Sequence, residues 1–250
     1  MTLNRGMTES QSSPSTPQSW RPHEFDHSHG DISGGWLRAA TFGAMDGLVS
    51  NTALIAGVGA AADAHTVVIS GFAGLVAGAF SMALGEFTSV TTANEQLESE
   101  VLVEQRAFRM HPQAEKAELV DMLVTMGLTP ETATKASDEI HRDENRAVNF
   151  HLTQELGVDP EDKPSPYVAA GSSFIMFAIG AIVPLIPYLL GFQSLWLGMV
   201  CGGFGLLVAG GVAARFTRKP LWFASLRQLL FGTVAIAATY VIGHLVGAVV

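Results

Sequence analysis

Five stretches of this chain are almost continuously apolar: residues 37–61, 67–90, 167–190, 195–216 and 226–250. One long polar segment, 91–166, and three short connections separate them. Each run meets or exceeds the roughly 20 residues an α-helix needs to cross hydrocarbon. A soluble helical protein can hide one such run in its core, but five leave too little amphipathic surface to face water. The pattern predicts an all-α membrane protein of five transmembrane helices, with residues 1–36 as a tail, 37–90 as helices one and two, and 167–250 as helices three to five. The polar segment 91–166 is then a domain inserted between helices two and three.

The inserted segment also reads as helical. The second span should run on past Val90 through residues 95–109 and break at His111-Pro112. Pro112 suits the first turn of the next helix, and Gly127 its C-terminal cap. Thr129-Pro130 reads as the N-cap and first turn of a third helical region that closes at Gly157. Three helices outside the bilayer are expected.

Charge orients these elements. Arg38 precedes the first span, and Arg215, Arg218, Lys219 and Arg227 surround the connection between the fourth and fifth, whereas 62–66 and 191–194 contain no Lys or Arg. The positive-inside rule puts the N-terminus, the insertion and the Arg-rich connection in the cytoplasm, with the C-terminus on the far side. Sixteen Asp/Glu against seven Lys/Arg in 91–166 account for the whole formal net charge of −9. Outside the insertion acids and bases balance, which leaves no basic field for nucleic acid. The Ser- and Pro-rich tail is expected to be disordered, and its His23, His27 and His29 to be mobile rather than a built metal site. The single cysteine, Cys201, excludes a disulfide framework and a thiolate metal site.

Candidate chemistry begins inside the spans. Asp46 is flanked by Gly43 and Gly47 and followed one turn later by Ser50 and Asn51. An acid within the bilayer must face water, a cation or a partner, and the small residues allow another helix to approach. Glu86 closes the second span near its cytoplasmic end, and Met82, one turn earlier, offers a soft thioether suited to a late first-row ion. Pro184 and Pro187 should bend the third span, and His244 reads as structural. In the insertion, Glu104 lies on the first helix, Glu115 and Glu118 are three apart on the second, and His151 and Glu155 four apart on the third. Each pair can present two ligands to one ion.

The motifs Asp46-Gly47-Leu48-Val49-Ser50-Asn51, Ser81-Met82-Ala83-Leu84-Gly85-Glu86-Phe87-Thr88-Ser89-Val90 and Glu155-Leu156-Gly157 resemble those of the vacuolar iron transporter family, from about Gly35 to the C-terminus. The resemblance implies a homodimer of five-span subunits that exchanges Fe²⁺ or Mn²⁺ for protons along a path lined by the first two spans, with a cytoplasmic metal-binding domain of three helices. It assigns Asp46 and Met82 to the membrane path and Glu104, Glu115, Glu118 and Glu155 to the cytoplasmic site. Two departures from the family pattern stand out: Ala107 stands where a glutamate is expected, and His151-Leu152 where paired methionines are common. His151 can partly replace a lost thioether.

The expected function is proton-coupled export of Fe²⁺ and/or Mn²⁺ from the cytosol across a lipid bilayer, with no bound cofactor beyond the transported ion. A metal-sensing membrane protein without transport is the alternative. An intramembrane enzyme lacks support, since no HExxH, GxSxG or P-loop occurs. The short chain and the absence of a sorting signal lean towards a bacterial plasma membrane over a vacuolar one.

Overall fold

A computed structural model describes residues 35–157, 162–217 and 220–247. The tail expectation for 1–34, including its three histidines, lies outside these residues, as do Arg218, Lys219 and Val250. Among the described residues every regular element is helical: α1 Trp36–Gly59, α2 Ala64–Met110, α3 Pro112–Thr125, α4 Pro130–Ile140, α5 Glu144–Leu156, α6 Pro166–Ile182, a 3₁₀ turn Val183–Leu185, α7 Ile186–Leu189, α8 Leu195–Thr217 and α9 Leu221–Gly247.

Among the described residues, four helical stretches are long and apolar enough to cross a membrane: Ala64–Met110, Pro166–Leu189, Leu195–Arg215 and Leu221–Gly247. They turn large side chains outward, among them Phe72, Phe80, Leu84, Trp196, Phe204 and Phe231. A water-soluble fold would bury such residues, so this surface is one for lipid or another apolar partner. The chain is a membrane protein with several apolar helices. α1 is not one of these four; Asp46, Ser50 and Asn51 dilute its apolar run.

α1 nevertheless lies at the centre of the bundle, packed against α2, α6, α8 and α9. Its closest neighbour is α6, and glycines make the approach possible. A Cβ on Gly43 would come within 2.7 Å of the Ser173 carbonyl oxygen, and Cβ atoms on Gly47 and Gly180 would collide with the opposite backbone. The small-residue face predicted beside Asp46 is therefore filled from within the chain, by α6. Pro184 interrupts the third span as expected: Val183 N–H bonds Gly180 O and Ile186 N–H bonds Val183 O, the tighter 3₁₀ spacing. Asn51 Nδ2 donates to Ala181 O at 2.6 Å beside this irregular turn, so its amide satisfies backbone where the helical ladder is broken.

α2 passes through Val90 without a break and ends at Met110, because the chain meets no helix-breaking residue before Pro112. Gly127 has φ 103°, the left-handed conformation glycine accepts most readily. The third helical region differs from the sequence reading. It is two helices, α4 and α5, broken at 141–143, where Asp143 accepts from Arg146 N–H at 3.0 Å and starts a new helix. The segment thus holds the polar end of α2 and three further helices. α9 begins at Leu221, earlier than residue 226, because the Pro220 carbonyl already accepts from Phe223 and Ala224 N–H.

Candidate metal centre

The His111-Pro112 corner sends α3 back along the end of α2, so Glu115, in the first turn of α3, comes to lie beside Glu104, near the end of α2. α5 is held against α2 by a core of Phe108, Ala147, Val148 and Leu152. Leu119, Leu123 and Ala133 join α3 to α4, with Phe150 of α5 packed on the same cluster. Leu152, one of the two departures from the family pattern, is thus a packing residue. Its neighbour His151 projects fully buried between the helices.

Glu104, Glu115 and His151 each offer a ligand atom, and these atoms all lie within 4.8 Å of one another. His151 Nδ1 is 3.3 Å from Glu104 Oε1, 3.5 Å from Glu155 Oε1 and 3.8 Å from Glu115 Oε2. The alignment is poor for hydrogen bonding: Glu104 Oε1 and both His151 ring nitrogens are buried without a hydrogen-bond partner. Buried polar atoms without partners are costly, and Glu104 Oε1 and His151 Nδ1 face one another where a cation would satisfy both.

Electrostatics agree with this reading. Burial, reinforced by the charges of Glu155, Glu115 and Glu118, pushes the Glu104 carboxyl up to about 7. Burial also raises Glu115 and Glu155, with Glu118 the next cause in each. His151 is driven down to about 4, mainly by burial and secondarily by His141. Its contacts with the three glutamates are therefore not charge pairs at neutral pH; they join a neutral imidazole to a cluster short of positive charge. Carboxylate oxygens with an imidazole suit Fe²⁺, Mn²⁺ or Zn²⁺.

Glu118 stands apart. It is exposed, lines an adjoining groove with Asp121, Met122, Met126 and Gln154, and acts on the centre through its charge. Ala107 places no ligand one turn after Glu104.

On α1, Asp46 is half-buried and accepts from the Ser50 hydroxyl one turn on, and Ser50 itself is exposed. Asn51 is spent on Ala181 O through its Nδ2, while its Oδ1 is buried without a partner. Met82 packs against the Ala79–Phe177–Ala181 cluster between α2 and α6. Glu86 is 8% exposed and bound by Arg38 at 3.0 Å. Two residues the sequence reading did not single out thus matter here. Arg38 was read only for orientation, and its pairing with Glu86 has no local signal. His141 ends α4 with its ring 5.7 Å from that of His151.

A family profile described as the VIT family matches residues 37–244. The chain is 32% identical to "VIT-like transporter 1b" of Glycine max, over 85% of this chain and 77% of that protein. It is 31% identical to "Vacuolar iron transporter" of Acanthamoeba castellanii, over 84% and 78%. Identity to "Vacuolar iron transporter 1" of rice, Oryza sativa subsp. japonica, is 29% over 83% and 84%. These relatives come from plants and an amoeba and lend no support to the bacterial membrane expected from the sequence.

Proposed function

The chain belongs to the VIT family, and on that premise we propose that it moves a divalent first-row metal, Fe²⁺ and/or Mn²⁺, out of the cytosol in exchange for protons. As a member of a transporter family it is not an enzyme. The observation that carries the proposal is the convergence of half-buried Glu104 with buried Glu115 and His151 from three helices, Glu104 Oε1 and His151 Nδ1 lacking hydrogen-bond partners, in a chain with several helices long and apolar enough to cross a bilayer.

In this reading α1 is a fifth span, less apolar because it carries the path. Asp46 is the coupling group, since metal coordination needs its carboxylate deprotonated and proton binding excludes the metal. Ser50, Met82, Asn51 and Glu86 accompany it on α1 and α2. Segment 91–166 is the cytoplasmic domain that captures metal through Glu104, Glu115, His151 and Glu155, with Glu118 adding attraction. Exposure supports a homodimer: Phe42 and Ser50 are exposed beside half-buried Asp46, and α2 exposes Ile69, Phe72, Val76 and Phe80. Lipid is a poor neighbour for an ionisable group, and a second copy covers it at lower cost. The test is metal uptake by vesicles containing the purified protein, with Fe²⁺ and Mn²⁺ competing under an imposed pH gradient. Metal binding without flux would favour a sensor and contradict the transport reading.

A further inference from the structure

Two buried nitrogens beside the metal centre are not used by it. His141 Nδ1 lies 2.8 Å from the Ser137 carbonyl oxygen, which can only accept, so Nδ1 carries the ring proton and Nε2 holds a lone pair. The Ser137 hydroxyl agrees: it donates to Lys116 O at 3.0 Å and is left to accept from His141 Nδ1 at 3.4 Å. His141 Nε2 is buried without a partner.

His151 has the complementary deficit. Its Nδ1 faces Glu104, Glu115 and Glu155, so a cation shared with those carboxylates binds the Nδ1 lone pair and leaves the ring proton on Nε2. His151 Nε2 is also buried without a partner. One ring has a donor lacking an acceptor, and its neighbour an acceptor lacking a donor.

The two ring centroids are 5.7 Å apart with planes at 85°. A ring nitrogen sits roughly 1.2 Å from its centroid, so two imidazoles meeting nitrogen to nitrogen at roughly 3.0–3.4 Å have centroids at about this spacing. Phe108 stacks on His141 at 5.3 Å and meets His151 edge-on at 5.0 Å, which holds the rings together in an apolar setting.

We propose that His141 is a positioning residue of the metal centre: when metal is bound, His151 donates its Nε2–H to His141 Nε2. The Ser137 carbonyl fixes His141, His141 fixes His151, and His151 turns Nδ1 to the ion. Such outer partners set the tautomer and basicity of a metal-binding imidazole. The inference rests on the metal-centre reading above.

The test uses the full-length protein in detergent, with Co²⁺ alone as a paramagnetic probe. The parent is expected to bind Co²⁺ and to give a single hyperfine-shifted, exchangeable imidazole N–H in its NMR spectrum, from His151. His141→Phe keeps a ring beside Phe108 but has no lone pair. It should weaken Co²⁺ binding about 10- to 100-fold and expose the shifted N–H to rapid solvent exchange. His141→Gln restores an acceptor and should recover most of the affinity. Two shifted N–H signals in the parent would mean that His141 itself binds metal, and would overturn the proposal. Unchanged affinity in His141→Phe, or no recovery in His141→Gln, would overturn it too. A parent that binds no Co²⁺ would sink the metal-centre reading along with it, which separates the two failures.

Discussion

Arg38 on α1 and Glu86 on α2, 48 positions apart, are joined by a 3.0 Å ion pair in which the Glu86 side chain is 9% exposed and that of Arg38 64%. The pair stakes the N-terminal end of α1 to α2. Removing Arg38 strands a buried charge, whereas Glu86→Gln removes that charge along with the pair. Arg38→Ala should therefore destabilise the protein more than Glu86→Gln does, by about 2 kcal/mol, less than a fully buried pair because Arg38 is open to solvent. Thermal unfolding in detergent compares them. Equal losses would mean that the pair does not hold the helices.

Metal binding should depend on pH through Glu104. With its carboxyl held up at about 7, a cation must displace a proton below that pH, so affinity should fall about tenfold per unit below pH 7 and level off above it. His151, held down at about 4, stays neutral over this range and adds no further loss. The stability signs are opposite. The raised Glu104 stabilises the metal-free fold below its ordinary value of 4.5, and this is lost as pH rises through 7. The lowered His151 stabilises it above 6.5, and this is lost as pH falls through 4. Mn²⁺ titrations of the full-length protein between about pH 5 and 8 report the first effect; a flat profile would contradict it.

The glutamates of the insertion should not be equivalent. Glu115 is buried at the centre and Glu118 is exposed beside it. Glu115→Ala should weaken Mn²⁺ binding at least about tenfold, the equivalent of roughly 1.4 kcal/mol, and Glu118→Ala by less. Glu98, paired with Lys163 at 2.9 Å, serves as the control and should leave binding unchanged on Glu98→Ala. Calorimetry on the three variants ranks them. Glu118→Ala as damaging as Glu115→Ala would shift the centre towards the adjoining groove.

How far these sites could be read from sequence depended on whether the signal was local. The long reach of α2, the Pro112 start and the left-handed Gly127 are set by residues within one turn, and all were legible. The break between α4 and α5 was legible in principle, since Asp143 and Glu144 mark a helix start, but the surrounding polar residues read equally well as one helix. Arg38 with Glu86 and His141 with His151 are products of packing between separate elements, and neither has a spacing that announces it. Asn51 is a further case: nothing local to its motif announces that its Nδ2 donates to the Ala181 carbonyl beside the Pro184 turn.

Close approach of α1 and α6 gives a further test. Gly47 faces the Phe177 carbonyl so closely that a methyl group cannot fit without moving the backbone, while a Cβ on Gly85 of α2 meets nothing within 4 Å. Gly47→Ala should sharply lower the yield of folded protein, and Gly85→Ala should leave the protomer intact or slightly more stable, by up to about 1 kcal/mol from helix propensity. Size-exclusion recovery after detergent extraction measures both. Normal recovery of Gly47→Ala would show that the helices can separate without penalty.

Flux through Asp46 is the most direct measurement. Vesicles containing the parent, loaded to impose a pH gradient, should accumulate Fe²⁺ or Mn²⁺ only while the gradient lasts. Asp46→Asn, nearly isosteric and expected to fold, should bind metal at the Glu104–Glu115–His151 centre with the parent's affinity yet carry none across. Gradient-driven flux in a correctly inserted Asp46→Asn protein, or none in the parent, would contradict the account.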